Sequence, residues 1–197
     1  MQQYTSLKIK IDNPELTLKE VFGYLNGYAP QQERKEKDLI YLPNDSHRFH
    51  TMKLRDNDSY ALQDGVKTMI AELPGSAGLP LFRNNLVDIV FNIEEDYFNN
   101  MKDMLGKPDC ILERNRLLIY KMDQMDELRI YLDTDIKLEW QDYKKFTPKN
   151  KGFLEFKIPY THDLAEKQAY LWDLAEKMHF TVDQFEPRSY YEMKPSI

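Results

Sequence analysis

Apolar and polar residues alternate over several short stretches of this chain, which is the spacing of a β-strand. In the first stretch Leu7, Ile9 and Ile11 alternate with Lys8 and Lys10, so the apolar side chains share one face. Similar alternation, or a short apolar run bounded by turn residues, predicts further strands. They cover residues 38–42, 49–55, 61–71, 87–93, 110–121, 128–133 and 152–158.

Three helices are predicted between these strands. The first begins at Asn13-Pro14-Glu15, which supplies an N-cap, a proline at the first helical position and an acid in the first turn. It ends at Asn26-Gly27, because glycine commonly terminates helices. The other two helices cover residues 94–105 and 163–180. The pattern predicts an α+β fold dominated by antiparallel strands.

Two parts of the chain repeat the same order of motifs. Leu25-Asn26-Gly27 corresponds to Leu105-Gly106-Lys107, and Glu33-Arg34 corresponds to Glu113-Arg114. Because these matches follow one order within strand–helix–strand units, they indicate an internal duplication.

The repeat suggests how the domain is organised. We expect a single domain over residues 1–197, with halves 1–73 and 85–197 joined by a loop at 74–84 that is rich in glycine and proline. Two antiparallel halves are expected to close into one β-barrel, because closure removes the exposed sheet edges.

Composition narrows the function classes. The net charge of −6 argues against a partner such as long nucleic acid, which needs a basic face. A single cysteine, Cys110, excludes an internal disulfide and a thiolate zinc site. The chain has no signal-peptide pattern and no apolar run of about 20 residues, so we expect a cytoplasmic protein that does not enter a membrane. A homodimer is compatible with the sequence.

Charged residues occupy alternate positions in several predicted strands, and alternate positions share a face. They can lie on the solvent side of half-exposed sheets, or point into a closed barrel, where burial demands a partner or a ligand. Such an interior suits polyphosphate, because arginine forks and lysine charges match phosphate oxygens. The pairs are Lys8 with Lys10, Lys53 with Arg55, Arg114 with Arg116, Arg129 with Asp133, and Glu155 with Lys157.

Six phrases follow one another along nearly the whole chain: Glu36-Lys37-Asp38-Leu39-Ile40-Tyr41-Leu42, Lys53-Leu54-Arg55, Arg114-Asn115-Arg116, Arg129-Ile130-Tyr131-Leu132-Asp133, Gly152-Phe153-Leu154-Glu155-Phe156 and Val182-Asp183-Gln184-Phe185-Glu186-Pro187-Arg188-Ser189-Tyr190. Their order resembles the CYTH group, which comprises class IV adenylyl cyclases, thiamine triphosphatases and related triphosphate tunnel enzymes. The last phrase is the most similar to the class IV cyclases.

The resemblance implies an eight-stranded, closed antiparallel barrel, in which basic residues bind a triphosphate and acids hold one or two divalent metals. Carried over by position, the acids of the tunnel are Asp133 and Glu155. The matching basic residues are Lys8, Lys53, Arg55, Lys67, Arg114, Arg116 and Arg188. Shared strand faces add Lys10, Arg129 and Lys157 to the predicted anion site.

The chain departs from the family at the metal ligands. Tyr4 and Ser6 replace the two leading glutamates, and Lys157 stands where the family often has an acid. Mg²⁺ needs carboxylate oxygens. The departures therefore predict that the phosphate site is retained while the metal site is reduced, with Asp133 and Glu155 as any residual ligands.

Three functional hypotheses follow. The first is a protein that binds a nucleotide or other polyphosphate without metal-dependent turnover, as a sensor or a sequestering protein, and that requires no cofactor. The second is an active cyclase or triphosphate hydrolase, in which Asp133, Glu155 and Asp135 hold Mg²⁺. The third is a structural or protein-binding domain with a vestigial barrel, which no anion would stabilise.

Overall fold

The computed structural model describes residues 3–42, 51–59, 66–72, 82–85, 89–121, 128–142 and 144–194. Two short 3₁₀ turns, Val182–Gln184 and Tyr190–Glu192, follow the last helix. The strands and helices, in chain order, are β1 (Gln3–Ile11), α1 (Pro14–Tyr24), β2 (Tyr28–Tyr41), β3 (Thr51–Ser59), β4 (Val66–Glu72), β5 (Arg83–Asn85), β6 (Ile89–Ile93), α2 (Glu95–Leu105), β7 (Cys110–Lys121), β8 (Arg129–Trp140), β9 (Lys145–Phe146), β10 (Gly152–Tyr160) and α3 (Leu164–Lys177).

The three helices lie where the sequence predicts them. At the start of α1 the Asn13 side chain accepts a hydrogen bond from the backbone N–H of Leu16 at 3.2 Å, which caps the helix. Gly27 and Gly106, which follow α1 and α2, have φ angles of 82° and 72°, a region that favours glycine. Within the described part of the chain, no helix is long and apolar enough to cross a bilayer.

β2 and β8 are much longer than predicted, and the sequence does not predict β5 and β9. β2 begins at Tyr28, well before the predicted start at residue 38. The prediction misses this part of the strand because its register irregularity at Pro30/Gln32 and its charged residues leave no apolar alternation. β8 continues to Trp140 past Asp135, whose φ of 52° interrupts the alternation. The predicted strand over 61–71 is observed from Val66, and residues 60–65 lie outside the described ranges.

One antiparallel sheet runs in the order β5-β1-β10-β8-β7-β2-β3-β4-β6, with β9 paired to β8. The sheet is curled into a half-barrel and stays open, so the predicted closed eight-stranded barrel is wrong. In the described residues no ladder joins the edge strands β5 and β6. Only three residues separate these strands, so the Cα atoms of Asn85 and Ile89 are at most about 14 Å apart. Because β5 has only three residues, the strand edge that it exposes is short even though the sheet is not closed.

The strand order is symmetric about its centre. With β5 left aside, each strand of the first half has a counterpart in the second: β1 and β6, β2 and β7, β3 and β8, β4 and β10. Counterparts lie at equal distances from the centre of the sheet. At the centre β2 pairs with β7, where Lys35 faces Asn115. The boundaries of the two halves stay a prediction, because residues 74–81 of the expected linker lie outside the described ranges. The end of the linker, Arg83 and Asn84, belongs to β5.

In the ranges that the structure describes, the helices pack on one face of the sheet. Leu7, Ile9 and Ile11 of β1 belong to a buried apolar cluster with residues of α1 and α3, and Phe98 of α2 packs in a cluster with β2 and β3. The opposite face of these strands carries buried charged residues. The curl of the sheet, in place of a helical layer, therefore encloses the charged face.

Candidate functional site

Strand register brings the charged residues of the inner face together. Asp38 lies directly across from Arg55, and Glu36 lies across from Arg114. Arg116 of β7 lies across from Asp133 of β8, and Lys8 of β1 lies across from Glu155 of β10. Oppositely charged side chains on neighbouring strands are close enough to pair. On the inner face, ion pairs consequently join residues of five strands, β2, β3, β7, β8 and β10.

Arg114 is at the centre of this network and is 4 % exposed. Its Nε and Nη2 atoms donate to Glu36 Oε2 at 3.0 and 2.7 Å, and Nη2 also lies 3.2 Å from Asp38 Oδ2. Arg55 binds Asp38 in a fork, with Nε and Nη2 at 2.6 and 2.9 Å from the two carboxylate oxygens. Such bidentate geometry is strong and directional.

Arg116 makes the same kind of fork with Asp133. Its Nε and Nη2 atoms lie 2.6 and 2.7 Å from the two oxygens, and Asp133 is fully buried. Further contacts are longer: Nη1 is 3.7 Å from Glu36, and Nη2 is 3.9 Å from Glu155. Buried ion pairs hold together only when geometry and hydrogen bonding are good, as they are here.

The arginines keep the buried acids ionised. Burial alone would raise the pKa of Glu36, but the charges of Arg55, Arg116 and Arg114 hold that pKa well below its ordinary value of 4.5. Burial also opposes ionisation of Asp38, yet Arg55 and Arg114 lower its pKa below 3.8. Both carboxylates are charged at neutral pH.

These lowered pKa values predict a loss of stability in acid. The unfolded chain takes up protons near pH 4.5 and 3.8 at Glu36 and Asp38, and the folded protein does so only at lower pH. Their contribution to stability is therefore complete above about pH 4.5 and is lost as the pH falls through the folded-state pKa values. The urea midpoint should hold above about pH 4.5 and fall from there to about pH 3, less steeply in Glu36→Gln. A constant midpoint would contradict this.

The C-terminal tail, residues 185–194, contacts the network from one end. The hydroxyl of Tyr190 donates to Asp133 Oδ2 at 2.7 Å. The ammonium group of Lys8 donates to the carbonyl oxygen of Arg188 and lies 4.5 Å from the centre of the Tyr190 ring. Burial, with the negative charge of Asp133, raises the pKa of Tyr190 well above 10, so Tyr190 stays a neutral donor.

Two adjacent cavities lie along the inner face. The inner cavity has a volume of about 80 Å³ and reaches Ser189, Tyr190 and Tyr191 of the tail. The outer cavity has a volume of about 230 Å³ and reaches Leu118 and Tyr131. Both are lined by Arg55, Arg116, Glu155 and Lys157, so the two cavities are adjacent, and we refer to them together as the chamber.

The chamber has an excess of positive charge. Seven cations and three acids (Glu36, Asp38 and Glu155) line it. When the buried Asp133 is counted as a fourth acid, the cations exceed the acids by three. The seven lining cations are Arg34, Lys53, Arg55, Arg114, Arg116, Arg129 and Lys157.

Six of the ten predicted anion-binding residues therefore line the chamber: Lys53, Arg55, Arg114, Arg116, Arg129 and Lys157. The other four line neither cavity. Lys8 is turned to the tail, and Lys10 donates to the Asp183 carbonyl at 3.3 Å. Lys67 pairs with Asp56 beside Phe98, and the half-exposed side chain of Arg188 pairs with Glu186 at 2.8 Å.

The acids fit a divalent metal poorly. Both oxygens of Asp133 are engaged by Arg116, and one also by Tyr190. Asp135 is exposed, accepts a hydrogen bond from Asn115 at 2.7 Å and borders a different cavity from Glu155. Across the ranges the structure describes, no three acidic, histidine or cysteine side chains are grouped to hold a metal. A metal at Asp133 would have to displace Arg116.

Sequence reasoning missed Glu36, Asp38 and Tyr190 as site residues. Glu36 and Asp38 are two positions apart on β2, which is the spacing that identified the cationic pairs. Their partners could not be read from the sequence, because they depend on β2 lying between β3 and β7.

The sequence matches no protein-family model and no curated protein. Solved structures match over almost the whole chain. The PH1819 protein of Pyrococcus horikoshii OT3 has a TM-score of 0.70 at 15% identity, with 96% of this chain and 97% of that chain covered. A predicted adenylate cyclase from Vibrio parahaemolyticus has a TM-score of 0.63 at 19% identity, with 97% of each chain covered.

HpAC1 from Hippeastrum, a predicted adenylyl cyclase with a dominant triphosphatase activity, has a TM-score of 0.53 at 11% identity. The match covers 98% of this chain and 94% of that one. At these identities the likeness concerns the fold. The sequence phrases and these structures agree on it: the chain has the fold of the CYTH, or triphosphate tunnel, proteins.

Proposed function

We propose that this protein binds a polyphosphate anion, such as a nucleotide, in the chamber formed by the inner face of its sheet. The observation that carries the proposal is the charge of the chamber. It has an excess of three cations, whereas the whole chain has a net charge of −6. A concave site with the opposite sign to the rest of the protein attracts a ligand of negative charge.

The arginine geometry favours phosphate as that ligand. Arg55 and Arg116 use Nε and Nη2 for their carboxylate forks. Their Nη1 atoms lie 3.6 and 3.7 Å from Glu36, beyond a normal hydrogen bond. These groups can therefore donate to an anion while the forks hold each guanidinium in place. Such preorganisation lowers the entropic cost of binding.

The named activities of the structural neighbours support the same class of ligand. HpAC1 has triphosphatase activity, and the Vibrio protein is a predicted adenylate cyclase, so both names concern molecules that carry a phosphate chain. The likeness in fold to these proteins supports a phosphate compound as the ligand of the chamber.

We further propose that binding needs no divalent metal. The carboxylates that could hold one are already engaged by arginines, and Lys157 adds a positive charge that reduces the need for metal to neutralise phosphate. A protein of this kind would act as a sensor or a sequestering protein for its ligand.

The test is isothermal titration with tripolyphosphate and with ATP, in excess EDTA and again in Mg²⁺. We expect similar affinities in both buffers and no release of phosphate or pyrophosphate. At a ligand concentration of 100 times Kd, binding should stabilise the fold by about 2.7 kcal/mol. If no phosphate compound binds, the proposal is wrong. Binding only with Mg²⁺, accompanied by turnover, would favour the enzyme hypothesis with a rearranged metal site.

A further inference from the structure

The two edge strands of the sheet differ in character. β5 is three residues long and polar, with the sequence Arg83-Asn84-Asn85. β6 is five residues long and has the sequence Ile89-Val90-Phe91-Asn92-Ile93, which contains no charge, proline or glycine. Proteins commonly protect an edge strand by a short length or by charged residues. β5 has both kinds of protection, whereas β6 has neither.

β6 exposes an apolar side chain on each of its faces. Phe91 lies across from Met69 of β4, on the face where α2 packs, and is 50% exposed. Val90 lies across from Ile70, on the opposite face, and is 55% exposed. In the described residues β6 pairs with β4 alone, so its other edge offers backbone N–H and C=O groups to a further strand.

The exposed apolar residues continue from β6 onto α2. Tyr97, in the first turn of α2, and Met104, near its end, are both exposed. Of the nine large apolar residues that are exposed in the described ranges, four therefore belong to β6 and α2. Single exposed apolar residues are common on a surface, but a concentration of them indicates a contact with another molecule.

β6 is complementary to a second copy of itself. When a two-fold axis runs perpendicular to an antiparallel strand pair, opposite residues share a face, so one residue must lie across from its own copy. A pair centred on Phe91, the middle residue, matches all five positions. The matches are Ile89 with Ile93, Val90 with Asn92, and Phe91 with Phe91 of the second copy. The central match is a pair of aromatic residues, which stabilises neighbouring strands.

Charge also favours this strand as the contact between two copies. Each chain has a net charge of −6, so two copies repel each other unless the contact avoids charged side chains. β6 has no charged residue. The acids next to it in the sequence, Asp88 and Glu94, limit the pairing to these five residues, because like charges directly opposite each other destabilise a strand pair.

We propose that this protein forms a two-fold symmetric dimer, in which β6 pairs antiparallel with β6 of a second copy and one sheet runs through both chains. Because the axis is perpendicular to the sheet, the two α2 helices lie on the same face, and their exposed apolar side chains add to the contact. The chamber takes no part in this contact, so the dimer does not depend on the proposed function.

Sedimentation velocity at increasing protein concentration tests the dimer. For the wild-type protein we expect a dimer fraction that rises with concentration. Phe91→Lys places two like charges opposite each other at the axis, and should give a monomer at every concentration that gives the wild-type dimer. Leu16→Lys is the matched control, because Leu16 is 51% exposed but belongs to α1, and its dimer fraction should equal that of wild type. A monomeric wild-type protein, or a dimer that persists in Phe91→Lys, would overturn the proposal.

Cross-linking tests the register, with oxidised glutathione as the oxidant. Directly opposite residues of an antiparallel pair have Cβ atoms about 4.5–5.5 Å apart, which is close to the spacing in a disulfide. Phe91→Cys should therefore form a covalent dimer faster than Val90→Cys, since Val90 lies across from Asn92 of the second copy. The native Cys110 is buried and does not compete. Equal rates, or a faster reaction of Val90→Cys, would contradict the pairing centred on Phe91. The uncharged cysteine variants decide the question if Phe91→Lys does not fold.

Discussion

Replacing Arg114 by alanine is expected to lower the free energy of unfolding by about 3–5 kcal/mol. The reason is that Glu36 and Asp38 would lose the guanidinium that lies 2.7 and 3.2 Å from them, while both remain buried and charged. Arg55, together with the Arg116 guanidinium 3.7 Å from Glu36, would then have to compensate both carboxylates. Urea denaturation followed by circular dichroism at neutral pH measures the loss.

The ion pair between Lys177 and Asp173 is a matched control. Its nitrogen–oxygen distance of 2.6 Å is as short as that of the Arg114–Glu36 pair, but both side chains are more than half exposed. Water solvates an exposed charge that has lost its partner, so Lys177→Ala should leave the urea midpoint nearly unchanged. Equal losses in the two variants would mean that burial does not govern the strength of the network.

Replacing Lys157 by alanine should weaken tripolyphosphate binding by about 10- to 150-fold. Lys157 lines both cavities, and a charge-assisted hydrogen bond to phosphate contributes about 1.5–3 kcal/mol. Its ammonium group also lies 4.5 Å from the centre of the Tyr4 ring, a contact that positions it at the chamber wall. Isothermal titration in EDTA gives the two dissociation constants.

Lys35→Ala serves as the control for this measurement. Lys35 is exposed and neighbours Glu36 on β2, so its side chain points to the opposite face of the sheet. The affinity of Lys35→Ala should stay within about twofold of wild type, because the charge of an exposed side chain on the opposite face of the sheet is largely screened from the ligand. If both substitutions weaken binding equally, the ligand is held by a diffuse surface field and not in the chamber.

Local signals in the sequence were sufficient for the helices. The start of α1 could be predicted because the Asn13 cap and Pro14 act on their own immediate neighbours. The first ten residues of β2 could not be predicted from such local signals. Arg34, Glu36 and Asp38 face a charged interior, so polar residues occupy both faces of the strand and apolar periodicity is lost.

The sequence did not show which strands are adjacent in the sheet. Alternate cations marked a shared face on each strand, but a face alone does not say which acid lies opposite. Arg114 meets Glu36 because β7 and β2 are adjacent, although 78 residues separate them. The closure of the barrel was mispredicted for a related reason: it depends on a ladder between two edge strands, which no local pattern encodes.

The pairing of β1 with β10 limits how this chain can fold as it is synthesised. Both neighbours of β1 in the sheet, β10 and β5, come from later parts of the chain, and Lys8 meets Arg188 across 180 residues. Until β10 is available, Leu7, Ile9 and Ile11 have no sheet to complete their cluster. Contacts over such separations are slow to form and prolong the exposure of apolar surface. The first half of the chain therefore completes its fold only together with the second.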